Sequence, residues 1–159
     1  MSDVRLASRI HAILSDTGLA PENLVVEVPE TAHQVDIRLI EALRELGVRV
    51  AIDDVGCQYS NLERLVDIPA EIAKIDRRWV PSEDATDANE RTLLSGLVMQ
   101  CRWLGLDVVV EGIESLAQYD FVRTLDVAGI QGFYFGKPVD PVTFEQTWAS
   151  AKALDRPLR

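Results

Sequence analysis

The sequence has few of the residues that build cross-links or soft-metal sites. Among its 159 residues are two cysteines, Cys57 and Cys101, and two histidines, His11 and His33. Two cysteines do not make the disulfide framework of a small secreted domain. Neither histidine has a second ligand at the spacing of zinc sites, so we expect both on the surface. These absences disfavour a zinc protein and a disulfide-stabilised protein.

Basic residues and long apolar runs are also scarce. The chain has 16 Lys and Arg against 26 Asp and Glu, a formal net charge of -10. Without a basic cluster, such a chain should repel nucleic acid polymers and anionic membranes. Its apolar runs are far shorter than a membrane span, and the N-terminal stretch MSDVRLASRI lacks the apolar core of a signal peptide. We therefore expect a cytoplasmic protein, in which an anionic ligand would need a metal ion to attract it.

Short apolar runs alternate with amphipathic, helix-like stretches along the chain. The runs that predict strands lie at 24–28, 48–52, 71–75, 107–113 and 130–135. Helical patterns lie at 6–17, 37–46, 93–104, 116–127 and 141–154. This alternation predicts an α/β fold with parallel strands, as a doubly wound sheet or a (β/α) barrel. No glycine-rich phosphate loop follows the first strand, which argues against a nucleotide-binding doubly wound fold.

A polar residue stands at or near the C-terminal end of each predicted strand. In chain order these residues are Glu27 and Glu30, Asp53 and Asp54, Lys74 and Asp76, Glu111 and Glu114, and Gln131. In a parallel (β/α) arrangement these ends point to one rim, so several carboxylates should meet there around one lysine. A single acid at a strand end is usually a helix cap or loop residue, but a polar group at all five ends is much less expected by chance.

Carboxylates that converge must be neutralised by protons or cations. Oxygen ligands without a cysteine or histidine cluster suit Mg²⁺ or Mn²⁺. The adjacent Asp53 and Asp54 could serve two ions, which suits in-line hydrolysis of a phosphodiester, although a helix cap is an equal interpretation of that pair. Glu114 fits a loop or helix-start acid better. Lys74 in an apolar run is costly unless paired, which favours a functional or salt-bridged role.

Five motifs, in order, resemble the EAL domains that hydrolyse cyclic di-GMP. The stretch VAIDDVGCQYSNL is similar to DDFGTGYSSL of that family, IAKIDRRWV to LKIDRSFV, and VVVEGIES to VVAEGVET. IQGFYFGKPV resembles CQGYYFSKPL, and LVVEVPET resembles the strand that carries LEITES. The similarity runs over nearly the whole chain. It implies a TIM-type (β/α) barrel and a Mg²⁺- or Mn²⁺-dependent hydrolase that opens cyclic di-GMP to pGpG.

The resemblance also implies a role for each matching acid. Glu27 and Asp53 would be metal ligands, and Asp54 would bind the second ion. Glu30 would anchor the loop that follows Asp54. Asp76 and Glu114 would support the site or its substrate.

The three catalytic residues that the resemblance implies are Lys74, Glu111 and Gln131. Lys74 would contact the attacking water or the phosphate region. Glu111 would act as general base or as a ligand of the second ion. Gln131 would position water or substrate.

Departures from the family pattern shape the remaining expectations. The chain enters at the helix before the fourth barrel strand, so we expect a single partial EAL domain over residues 1–159, without the EAL glutamate and the third-strand asparagine. Cys57 and Gln58 replace Thr and Gly of the family loop, and Pro29 replaces a Thr. An incomplete barrel exposes two sheet edges, which predicts instability alone or association with a second copy or another EAL-containing protein. We expect impaired hydrolysis; the alternative is an inactive module that binds cyclic di-GMP or a protein.

Overall fold

Six helices and five strands make up the part of the chain that the computed structural model describes, residues 4–32, 35–57, 63–82 and 88–153. The helices are α1 Val4–Thr17, α2 Ile37–Glu45, α3 Glu63–Asp67, α4 Ala88–Trp103, α5 Leu116–Val122 and α6 Pro141–Ala153. The strands are β1 Val25–Pro29, β2 Arg49–Val55, β3 Ile72–Ile75, β4 Asp107–Val110 and β5 Gly129–Ile130. Short 3-10 turns lie at Pro21–Asn23, Arg77–Trp79 and Arg123–Leu125.

The five strands form one parallel sheet in the order β1-β2-β3-β4-β5. Every strand pairs with its neighbour in sequence, as right-handed strand-helix-strand units do in a barrel wall. The predicted α/β class and parallel pairing are therefore confirmed. Among the described strands, β1 and β5 each have a neighbour on one side only.

The hydrophobic core lies between the sheet and the helices that connect its strands. Val50, Ile52, Ile75 and Val108 are fully or almost fully buried and pack with α4 and α5. Strand β3 is buried at every position, as expected for a central strand covered on both faces. Among the predicted polar residues, Glu27, Asp53, Asp54 and Lys74 lie within strands β1 to β3, and Glu111 and Gln131 directly follow β4 and β5.

Several elements differ from the sequence prediction; for example, β4 ends at Val110 instead of residue 113, and α4 begins at Ala88 instead of residue 93. Helix α3 was not anticipated, because its five residues are too few for a periodic pattern. The fifth strand ends at Ile130 instead of continuing to residue 135. Its chain turns instead, because the amide of Tyr134 donates to Ile113 O at 2.9 Å and that of Phe135 donates to Gly132 O at 3.1 Å. The last helix was predicted to reach Leu154, which lies outside the described residues.

Helix α5 has a capping box, which explains its start. The Ser115 hydroxyl accepts from the amide of Gln118, and the Gln118 side chain accepts from the amide of Ser115. The same Gln118 side chain accepts from the amide of Glu114 at 2.8 Å and donates to Pro81 O at 3.0 Å. Glu114 therefore lies directly before the N-cap of this helix, which agrees with its interpretation as a loop or helix-start acid. No helix among the described residues has the length and apolar character needed to cross a membrane.

The buried thiol of Cys101 predicts sensitivity to alkali. Burial, and then the nearby charge of Glu30, raise the pKa of Cys101 to about 11 from an ordinary value of 9.0. Between these values the unfolded chain releases the proton and the folded protein keeps it, so stability should fall as pH rises, by up to about 1.4 kcal/mol per unit. Urea unfolding at pH 8 and pH 10 should show a larger loss in the wild type than in Cys101→Ala. Equal losses would exclude Cys101 as the cause.

Candidate active site

Sheet register places the predicted polar residues on one face. Glu27 pairs with Ala51, and Asp53 lies two residues beyond Ala51, so both point the same way. Lys74 pairs with Val109, and Val109 lies two residues before Glu111. Val109 also pairs with Gly129, and Gly129 lies two residues before Gln131. Because side chains alternate along a strand, Glu27, Asp53, Lys74, Glu111 and Gln131 all point to the same face of the sheet. The one rim predicted from the sequence is the C-terminal edge of this face.

Lys74 lies at the centre of the rim. Its Nζ is 2.6 Å from Glu27 Oε1, 2.7 Å from Glu111 Oε1 and 3.1 Å from Asp53 Oδ1. The lysine side chain is 10% exposed, whereas that of Glu27 is 47% exposed. Three carboxylates around one ammonium leave two negative charges uncompensated, open to solvent on the side of Glu27.

These contacts keep Lys74 charged. Burial alone would lower its pKa, but the hydrogen bonds to Glu111, Glu27 and Asp53 outweigh burial, and the pKa is raised above its ordinary value. The folded state therefore holds this proton more tightly than the unfolded chain. Its stabilising contribution is complete at neutral pH and is lost only when strong alkali removes the proton.

A second group of side chains lies beside the first. One ligand atom each from Asp54, Cys57 and Asp76 lies within 4.8 Å of the others. Burial, and then the charges of Asp53 and Asp76, raise the pKa of Asp54. Burial would also raise the pKa of Asp76, but hydrogen bonds from the backbone amide and side chain of Arg78 lower it. A bound cation would therefore stabilise the ionised form of Asp54 more than that of Asp76.

Cys57 is a poor metal ligand in this setting. Burial, and then the charge of Asp76, raise the pKa of its thiol. Because its pKa is raised, the thiol stays protonated at neutral pH. Metals bind the thiolate form, so this sulfur is a weak ligand. The donors left at the rim are carboxylate oxygens.

The turn after Asp54 is held from two sides. Asp54 has a backbone φ of 59° and Gly56 has 89°, both in the left-handed region. The amide of Gly56 donates to Glu30 Oε2 at 3.0 Å, and its carbonyl accepts from Trp79 Nε1 at 3.0 Å. Glu30 is 2% exposed, and its side chain contacts this turn through the Gly56 amide. Its role as the anchor of the loop stays a prediction. Residues 58–62, including Gln58, lie outside the described part.

Gln131 and Glu114 border a small cavity next to the lysine cluster. This cavity has a volume of about 220 Å³, and its lining includes Asp76, Glu111, Glu114 and Gln131. Gln131 is exposed, and its amide donates to Val110 O at 2.9 Å. Glu114 is also exposed and contributes no contact to Lys74 among the described ion pairs. The structure thus brings Glu27, Asp53 and Glu111 onto Lys74, Asp54 next to Asp76, and the remaining predicted residues around them.

The donor set fits a hard divalent cation. Glu27 and Asp53 offer carboxylate oxygens beside Lys74, and Asp54 offers a further carboxylate beside Asp76. Mg²⁺ and Mn²⁺ prefer such oxygens. Sequence reasoning missed Trp79 as part of this site, because its hydrogen bond to Gly56 O has no sequence signal.

Comparison with known families and proteins places these residues in context. The EAL domain matches residues 1–138. The chain is 35% identical over 138 residues to the bifunctional diguanylate cyclase/cyclic di-GMP phosphodiesterase MucR of Pseudomonas aeruginosa. The match covers 84% of this chain and 20% of MucR. The chain therefore spans about a fifth of the length of this relative.

Solved structures show the same fold. The EAL domain of Mycobacterium smegmatis DcpA matches with a TM-score of 0.84 and 25% identity, covering 94% of this chain and 69% of that one. A manganese/cy-diGMP complex of Klebsiella pneumoniae BlrP1 matches with a TM-score of 0.75 and 29% identity, covering 85% of this chain and 35% of that one. These likenesses confirm the predicted TIM-type barrel class.

Proposed function

This chain belongs to the EAL domain family, and from that premise we propose that it acts in the metal-dependent hydrolysis of cyclic di-GMP to pGpG. The names of its relatives support the substrate class, since MucR is a cyclic di-GMP phosphodiesterase and BlrP1 was solved with manganese and cy-diGMP. The expected impairment of hydrolysis and the expected cytoplasmic location stay predictions.

The cluster around Lys74 carries this proposal. Three carboxylates lie within 3.1 Å of one buried ammonium. Apolar side chains of similar volume often stabilise a fold as well as a buried ion cluster or better, so stability alone does not explain this cluster. Their uncompensated charge faces solvent, where a cation and an anionic phosphodiester could enter together.

Glu27, Asp53 and Asp54 would hold Mg²⁺ or Mn²⁺. When bound, such an ion supplies Lewis-acid polarisation of the phosphodiester and lowers the pKa of water. Asp54 gains most from it, because burial and the charges of Asp53 and Asp76 raise its pKa.

Lys74, Glu111 and Gln131 would carry the proton and positioning steps. Lys74, kept charged by its three partners, would donate a hydrogen bond to a phosphate oxygen in exchange for one of its three carboxylate contacts. Glu111 would accept a proton from the attacking water, and Gln131 would orient water or substrate from the cavity that both line. Glu30, Asp76 and Glu114 would support these groups from behind.

Replacing Glu111 with glutamine tests the proposal. Purified protein with Mn²⁺ should convert cyclic di-GMP to pGpG, measured by chromatography. Glu111→Gln should reduce the rate by about a hundredfold or more, because the amide cannot accept the proton. Glu45→Gln, on the exposed side of α2, makes the same charge change away from the site and should leave the rate unchanged.

One outcome would count against hydrolysis by this chain, and another against the role of Glu111. No pGpG at high protein concentration would exclude turnover, and a Glu111→Gln rate equal to the wild type would remove Glu111 from the reaction. Calorimetry with Ca²⁺ in place of Mn²⁺ separates binding from cleavage. Heat of cyclic di-GMP binding without product would favour the binding-module alternative.

A further inference from the structure

We propose that Trp79 is a positioning residue that fixes the Asp54 turn through its indole N–H and so sets the affinity of the rim for a divalent cation. The inference rests on the proposed function, since it concerns the same rim. It assigns to Trp79 a polar role that its packing does not explain.

The geometry of the turn is the first support. Trp79 Nε1 donates to Gly56 O at 3.0 Å. The indole lies so close that a Cβ added to Gly56 would meet Trp79 Nε1 at 2.3 Å. With Glu30 Oε2 accepting from the Gly56 amide, both polar groups of this residue have partners outside the turn. The turn itself is closed by the amide of Cys57, which donates to Asp54 O at 3.1 Å.

The conformation of Asp54 explains why such support is needed. Its φ of 59° is in the left-handed region, which a non-glycine residue adopts at a cost and keeps only where its surroundings fix it. A turn that is not held from outside would let this backbone leave the left-handed region.

Trp79 is suited to hold the turn because of where it lies. It ends the 3-10 turn Arg77–Trp79 that directly follows β3, and the Asp76 side chain caps this turn by accepting from the Arg78 amide. Its ring packs against the buried core. The indole therefore ties the end of β2, with Asp53 and Asp54, to the end of β3, with Lys74 and Asp76.

Trp79→Phe removes the N–H and keeps the ring. Phenylalanine is also the residue in the similar family motif LKIDRSFV, so the variant should fold. Mn²⁺ binding, measured by electron paramagnetic resonance without substrate, should weaken about fivefold, the effect of losing one neutral hydrogen bond. The exchange rate of the Gly56 amide should rise in the metal-free variant. Trp103→Phe, at a tryptophan that is 75% exposed, is the matched control and should change neither.

The results separate this inference from the proposed function. If the wild type binds no Mn²⁺, the proposed metal site fails. If the wild type binds Mn²⁺ and Trp79→Phe binds it equally, only the role of Trp79 is overturned. Nuclear magnetic resonance of the wild type gives a reading that needs no variant, since the Trp79 indole N–H should exchange slowly and shift as Mg²⁺ is added. Fast exchange with no shift would overturn the inference.

Discussion

Lys74→Met should abolish turnover and destabilise the metal-free protein. The substitution keeps the length of the apolar stem but leaves Glu27, Asp53 and Glu111 without their shared ammonium. Removing one partner of a buried ion pair costs about 3–5 kcal/mol, and the partial exposure of these acids should reduce the loss to about 1–3 kcal/mol. Urea unfolding in chelator at pH 7 measures it, and the rate of pGpG formation should fall at least a hundredfold.

The pH dependence of this variant gives a signature. In Lys74→Met the folded state should take up protons more readily than the unfolded chain, because protonation relieves repulsion among the three acids. Its stability should therefore rise as pH is lowered from 7 to 5. In the wild type the raised pKa of Lys74 keeps the ammonium over this whole range, so its contribution should not change.

Divalent cations should also separate the two proteins. Added Mn²⁺ should stabilise Lys74→Met more than the wild type, because the ion takes over part of the neutralisation that the lysine provides. Lys137→Met loses one charge at an exposed position, and its stability should change by less than about 0.5 kcal/mol. A Lys74→Met protein more stable than the wild type at pH 7 in chelator would contradict the ion-cluster account.

Gly132→Ala should have the largest effect on folding of any glycine substitution at the rim. An added Cβ would lie 2.0 Å from Ile113 O and 2.3 Å from Ile113 N, both backbone atoms that cannot rotate away. The same backbone is tied to this loop, because the Ile113 amide donates to Gln131 O and the Tyr134 amide donates to Ile113 O. We expect a loss of about 3 kcal/mol or more, seen as a lower urea midpoint.

The activity of Gly132→Ala should fall as well, because the segment from 111 to 113 and the segment from 131 to 134 carry Glu111 and Gln131. Gly136→Ala is the control four residues away, where an added Cβ meets nothing within 4 Å. Its stability should match the wild type or exceed it slightly, since alanine lowers the entropy of the unfolded chain. Equal midpoints for Gly132→Ala and Gly136→Ala would show that the two segments separate easily.

The sequence predicted the site well where strand periodicity determines direction. Strands β1 and β3 lie close to their predicted ranges, whereas β2 runs three residues further than predicted and β4 ends three residues earlier. The alternation of side chains, together with the parallel register, places Glu27, Asp53 and Lys74 on one face. The expected pairing of Lys74 follows from burial alone, because an apolar strand that holds a lysine must supply partners. Here local pattern and three-dimensional position coincide.

Features that depend on contacts between distant segments were not predictable in this way. The early end of β5 is imposed by the Ile113 backbone against Gly132, which no local pattern records. Trp103 is 75% exposed at the end of α4, a position that its large apolar side chain alone does not predict. His11 lies on the surface as expected, whereas His33 is outside the described residues.

The strand order has a consequence for how the protein is made. Because the order in the sheet equals the order in the chain, a chain that folds from its N-terminus during synthesis pairs β1 with β2 before β3 emerges. At that stage Glu27 and Asp53 lie on adjacent strands without an ammonium between them. When β3 pairs with β2, Lys74 brings the ammonium that contacts both acids. The third strand therefore supplies the positive charge that the first two strands lack at this edge.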